Sequence, residues 1–187
     1  MMILAVSGCG SSPPTRFYSL EPTVAEAPLQ VGARARTQTS VKINAVHIPS
    51  VLDRRTIVRG ESNYQLRLSS QNRWGGDFGE MMRRVLTQDL QARLPSGMVI
   101  APDAPAPTNA RGVVVDILSF APKGASVFLD ADWIVLQGSP AQPTLHRDLH
   151  LMEPFAGSAA SQAAAMSKLV GRLADSIAQG LRGISPD

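Results

Sequence analysis

Residues 126–136 read as a long strand. Val127, Leu129, Ala131, Trp133 and Val135 fall on one side of an extended chain, Asp130 and Asp132 on the other. A strand of this kind has one face covered and one face in water, which is the pattern of an antiparallel-rich sheet rather than of a fully buried parallel one. Two helical stripes are available as the cover. One runs over residues 74–94 through Trp74, Phe78, Met81, Met82, Val85, Leu86, Leu90 and Leu94, with Arg83, Arg84, Gln88, Gln91 and Arg93 lying between them. It is stopped by Pro95 and Gly97. The other runs over residues 158–181 through Ala163, Met166, Val170, Leu173, Ile177 and Leu181, with Ser158 as N-cap and Gly180 and Gly183 near its end.

Further strands are expected at residues 17–20, 41–48 (stopped by Pro49), 98–100, 112–118 and 145–152. Two more, at 56–59 and 63–68, flank Gly60-Glu61-Ser62 as a hairpin. Residues 21–40 read as a loop. The order strands, helix, strands, helix predicts an α+β fold: an antiparallel-rich mixed sheet with two main helices packed on one face.

At 187 residues, with 44% hydrophobic and 18% charged, the chain can bury one substantial core, which excludes disorder over most of its length. The net charge is +3, and the arginines are spread in pairs (Arg34 and Arg36, Arg54 and Arg55, Arg83 and Arg84) rather than gathered in a stripe, so no nucleic-acid interface is expected. No apolar run reaches the roughly 20 residues that span a bilayer. A single cysteine excludes an intrachain disulfide and a cysteine-based metal cluster.

That cysteine is the sharpest chemical signal. The chain begins with a short apolar run, and Val6-Ser7-Gly8-Cys9 has the form of a bacterial lipobox: small residues fit the peptidase pocket, and the Cys9 sulfur takes a diacylglycerol. Residues 1–8 are then a truncated lipoprotein signal peptide. Residues 9–40 form a lipidated N-terminus with a short strand and tether, and residues 41–187 a single domain. Gly10-Ser11-Ser12-Pro13-Pro14 suits a spacer. The alternative is a free cysteine buried in an N-terminal strand.

Other chemistry is weaker. His146, Asp148 and His150 share a strand face, a donor set that can bind zinc and support a metal-assisted hydrolase, but a half-solvated sheet produces such a polar row anyway. Asp130 with Asp132 resembles an acid/base pair, with the same solvated-face alternative. Residues 75–79, Gly-Gly-Asp-Phe-Gly, could cradle phosphate at a helix start but lack the Lys-Ser/Thr of a P-loop. Met81, Met82, Met152 and Met166 read as core filler. No catalytic residue, cofactor or metal site is therefore expected.

Taken in order, several segments resemble the ABC-type transport auxiliary lipoprotein family, the PqiC-like proteins. They are Cys9, Phe17-Tyr18-Ser19-Leu20, Val41-Lys42-Ile43, residues 48–58, Arg73-Trp74-Gly75, Asp116 with Phe120, residues 129–133, and Ala165-Met166-Ser167 with residues 175–178. The resemblance implies a non-enzymatic lipoprotein on the periplasmic face of the outer membrane. Gly10 after the cysteine, by similarity to enterobacterial lipoproteins, points to the same membrane. The implied partners are a mammalian-cell-entry (MCE) domain protein and inner-membrane transporter components. Together they would move lipid between the two membranes, with ring-like self-association of this subunit. A lipoprotein that assembles some other envelope machine is the alternative within the same class. Only Cys9 carries over as a site residue.

Overall fold

The chain is described here from a computed structural model, over residues 13–23, 39–62 and 65–184. Cys9 and the lipobox lie outside these residues. The strands are β1 (Arg16–Tyr18), β2 (Val41–His47), β3 (Thr56–Ser62), β4 (Gln65–Trp74), β5 (Arg111–Lys123), β6 (Ser126–Gln137) and β7 (Gln142–Pro154). The helices are α1 (Phe78–Arg93) and α2 (Ala159–Gly183). The α+β class is as expected, and the strands divide between two sheets.

The larger sheet has the order β2-β5-β6-β7. β5, β6 and β7 form consecutive antiparallel hairpins, and β2 joins parallel to β5 after a long crossover through β3, β4 and α1. Gly124, at φ +63°, makes the tight turn between β5 and β6. The smaller sheet has the order β1-β4-β3, with β1 parallel to β4.

Both helices pack on one face of the larger sheet, as the alternation of β6 requires. Val127, Leu129, Ala131, Trp133 and Val135 are all buried on that face, and Trp133 is fully so. They meet the stripe of α2, where Leu169, Val170, Leu173, Ala174 and Ile177 are completely covered. The indole of Trp133 lies against Gly180, so close that a Cβ there would overlap it and would sit 2.9 Å from Leu145. Three aromatic rings link the two sheets: Trp74 at the end of β4 lies 5.0 Å from Phe78 at the start of α1, and Phe78 lies 6.1 Å from Phe120 on β5.

The start of α1 corrects one expectation. Trp74 is not helical but the last residue of β4, paired with Tyr18 of β1. The helix begins at Phe78, because the Asp77 carboxylate accepts the Glu80 N–H at 3.1 Å and caps it. Gly60, Glu61 and Ser62 likewise belong to β3 rather than to a turn. α2 matches its predicted start: Ser158 and Ser161 form a reciprocal capping box.

A buried polar cluster fastens the N-terminal segment to both helices. Arg93 is 3% exposed, although its position between apolar residues of the sequence reads as solvent-facing. Its Nε donates to Asp175 of α2 at 2.7 Å, and its Nη1 lies 3.3 Å from Asp89 one turn back. Asp89 is fully buried and accepts from the Thr23 N–H at 2.7 Å and the Thr23 hydroxyl at 3.1 Å. Thr23 in turn fills the space that a side chain at Gly171 would occupy. Just before it, the Glu21 N–H donates to the Ser167 hydroxyl at 3.0 Å, and Leu20 is buried against Met81.

Asp89 Oδ2 has no hydrogen-bond partner. Burial pushes the Asp89 carboxyl up from its ordinary range, and the Thr23 N–H and the Arg93 charge pull it only part of the way back. A folded-state value above the unfolded one means that the associated stability is complete below the ordinary carboxylate range. It is lost as pH rises through the raised value.

Two outcomes follow for urea unfolding. Asp89→Ala removes the acceptor for Thr23 and leaves Asp175 as the one carboxylate beside the buried Arg93 among the described residues, costing about 3 kcal/mol. Asp89→Asn keeps the acceptor for Thr23 and does not titrate, so its stability relative to wild type improves as pH rises above the ordinary carboxylate range. A gap that widens with rising pH would contradict the assignment. Separately, Gly183→Ala, with nothing near its Cβ, gains up to about 1 kcal/mol. Gly180→Ala loses about 1–3 kcal/mol through its collision with Trp133.

Candidate functional site

The uncovered face of the larger sheet collects the chain's polar chemistry. The chain has three histidines, and all of them stand on this face, each beside an aspartate. His47 Nδ1 lies 2.6 Å from Asp116 Oδ1, His150 Nδ1 lies 2.9 Å from Asp130 Oδ1, and His146 Nε2 lies 3.5 Å from Asp148 Oδ1. Strand register explains the pairs: His47 is opposite Asp116, and Asp130 is opposite His150. The hydrogen bond that His150 donates to the Asp130 carboxylate raises the His150 pKa from its ordinary value, and the Asp130, Asp148 and Asp132 charges add to it.

The row His146-Asp148-His150 is exposed, as its alternation predicted, but the three do not converge. His150 is engaged with Asp130. Asp132 takes its place, because β6–β7 pairing sets Asp132 directly opposite Asp148. One ligand atom from each of Asp132, His146 and Asp148 falls within 4.8 Å of the others. Asp130 and Asp132 therefore do not act as a pair: one meets His150, the other faces Asp148. His47 and Asp116 join the face through the parallel β2–β5 ladder, a contact with no local sequence signal. Among the described residues, no serine hydroxyl hydrogen-bonds to a histidine.

Apolar side chains are interspersed. A register shift after Ile117 pushes Leu118 outward to 57% exposure, and Met152 is 51% exposed opposite Phe128. Met152 is thus a surface residue rather than core filler, whereas Met81, Met82 and Met166 are buried as expected. Ser119, Pro122, Lys123, Phe128 and Asp130 line an open depression of about 390 Å³ at the β5–β6 end of this face.

The remaining candidates have structural roles. In the 75–79 stretch, the Gly75 N–H donates to the Tyr18 carbonyl at 2.8 Å and Asp77 caps α1, so a carboxylate already holds the position a phosphate would need. In the loop before β3, Arg55 is exposed and its carbonyl accepts the Trp74 N–H at 2.6 Å. Arg54 is half-buried, with its Nε covered and without a hydrogen-bond partner. No helix among the described residues is long and apolar enough to cross a membrane.

Comparison with known proteins places this architecture. No curated protein matches the chain at a significant level of sequence similarity. Among the solved structures that match, two illustrate the shared fold. One, described as an uncharacterized protein, has a TM-score of 0.71 at 16% identity, covering 90% of this chain and 99% of its own. The other, a Xanthomonas campestris protein of family DUF330, has a TM-score of 0.68 at 15% identity, covering 89% of this chain and 95% of its own. Residues 18–178 match the family described as the ABC-type transport auxiliary lipoprotein component, and that span takes in β2 to β7, α1 and most of α2. The chain belongs to the ABC-type transport auxiliary lipoprotein component family.

Proposed function

We propose that this protein is a lipid-anchored, non-catalytic accessory subunit of an ABC/MCE-type intermembrane lipid transport system, held at the periplasmic face of the outer membrane. The family match over residues 18–178 is the observation that supports it most. In this reading residues 1–8 are removed as signal peptide, Cys9 carries the acyl chains, and the remainder is tether and a single domain. The position of β1 suits the anchor. Six residues lie between Cys9 and Arg16, the first residue of β1, so the seven Cα–Cα steps of the tether reach at most about 25 Å when fully extended. A domain confined that close to one membrane presents a high effective concentration to a partner reaching it from across the periplasm. The partners in this reading are an MCE-domain protein and inner-membrane transporter components, with ring-like self-association of the anchored subunit.

The test is made in the native host. Cys9→Ala is expected to lose incorporation of labelled fatty acid and to leave the outer-membrane fraction for the soluble periplasmic one. Wild-type protein extracted in mild detergent is expected to co-purify with an MCE-domain protein. Acylation that persists in Cys9→Ala would overturn the anchor, and wild-type extracts without an MCE-domain partner would overturn the transport role.

A further inference from the structure

The geometry points to a zinc-type divalent cation site on the uncovered sheet face, formed by Asp132 of β6 with His146 and Asp148 of β7. We propose it as a three-ligand site whose fourth position is open to water.

The donor set is one imidazole and two carboxylates, which suits zinc. Tetrahedral zinc with bonds of about 2.1 Å sets neighbouring ligand atoms about 3.4 Å apart. His146 Nε2 and Asp148 Oδ1 already stand 3.5 Å apart. The third donor, from Asp132, falls within 4.8 Å of both. All three residues project from paired strands, and the β6–β7 register that aligns them is continuous from Val135 to Ser126.

Two further observations distinguish this cluster from an ordinary solvated row. Asp116, Asp132 and Asp148 are aligned across β5, β6 and β7 at directly paired positions. Like charges at such positions repel, and a divalent cation between them reverses the sign. The second observation is how the neighbours are engaged. Asp116 is taken by His47 and Asp130 by His150. Asp132 is half-buried between two carboxylates and has no hydrogen bond or ion pair among the described residues. His146 is the one histidine without a hydrogen-bonded carboxylate; its 3.5 Å contact is a ligand-to-ligand spacing. Asp132 and the longest of the three His–Asp pairs are thus the groups that converge. His146 and Asp148 are 58% and 67% exposed as side chains, which leaves an ion there accessible from solvent.

Untagged protein, stripped with chelator, is titrated with zinc sulfate by calorimetry, and bound metal is counted after dialysis. One zinc per chain is expected, with a rise in Tm. His146→Ala and Asp132→Asn are each expected to weaken binding at least about tenfold. His47→Ala, on the same face but outside the cluster, is expected to bind as wild type does. His146 and His47 are exposed and Asp132→Asn preserves side-chain shape, and circular dichroism checks that each variant folds. Absence of saturable binding below about 1 mM would overturn the site. So would undiminished binding in His146→Ala, an equal loss in His47→Ala, or calcium and magnesium binding as tight as zinc.

Discussion

Covering one face of β6 is the constraint on which the rest of the architecture depends. A strand with a tryptophan and four aliphatic residues on one side and two aspartates on the other is stable only beneath a lid. α2 supplies that lid, and the absence of a side chain at Gly180 lets the helix approach until it touches the Trp133 ring. Once α2 is seated, the hairpins β5–β6–β7 have a fixed inner side. Their outer side is left to water, and the histidines and aspartates of three strands come into line there. The chemistry of the exposed face thus follows from the packing of the hidden one.

The Thr23–Asp89–Arg93–Asp175 cluster plays a different part. It contributes little as a set of charges, because desolvation offsets much of the attraction between buried ions. Its value is geometric. Asp89 and Arg93 come from α1 and Asp175 from α2, and Thr23 brings the N-terminal segment between them. Two helices and an incoming strand are held in one register by groups that fit only one another. The fused aromatic contact of Trp74, Phe78 and Phe120 does the same at the other end of α1.

Sequence reasoning succeeded where the signal was local. The alternation of β6, the stripes of α1 and α2, and the Ser158 cap each depend on residues within a few positions, and the fold class followed from them. It failed where a distant partner decides. Trp74 fits a helical stripe, but β1, more than 50 residues earlier, holds it in a strand. Arg93 reads as a surface cation, and only Asp175, 82 residues later, makes its burial intelligible. The polar row on β7 was visible, yet its convergence with Asp132 rather than His150 depends on cross-strand register, which no single strand encodes.

The parallel pairing of β1 with β4 has a mechanical consequence. A pull on the chain from its N-terminal side is first borne by a ladder of three residue pairs, Arg16 with Asn72 through Tyr18 with Trp74. The load passes next to Leu20 against Met81 and then to Thr23 seated over Gly171. The two points of resistance lie on different elements, the smaller sheet and the helix pair. The N-terminal segment is therefore fastened at two separate places before the chain enters the larger sheet at β2.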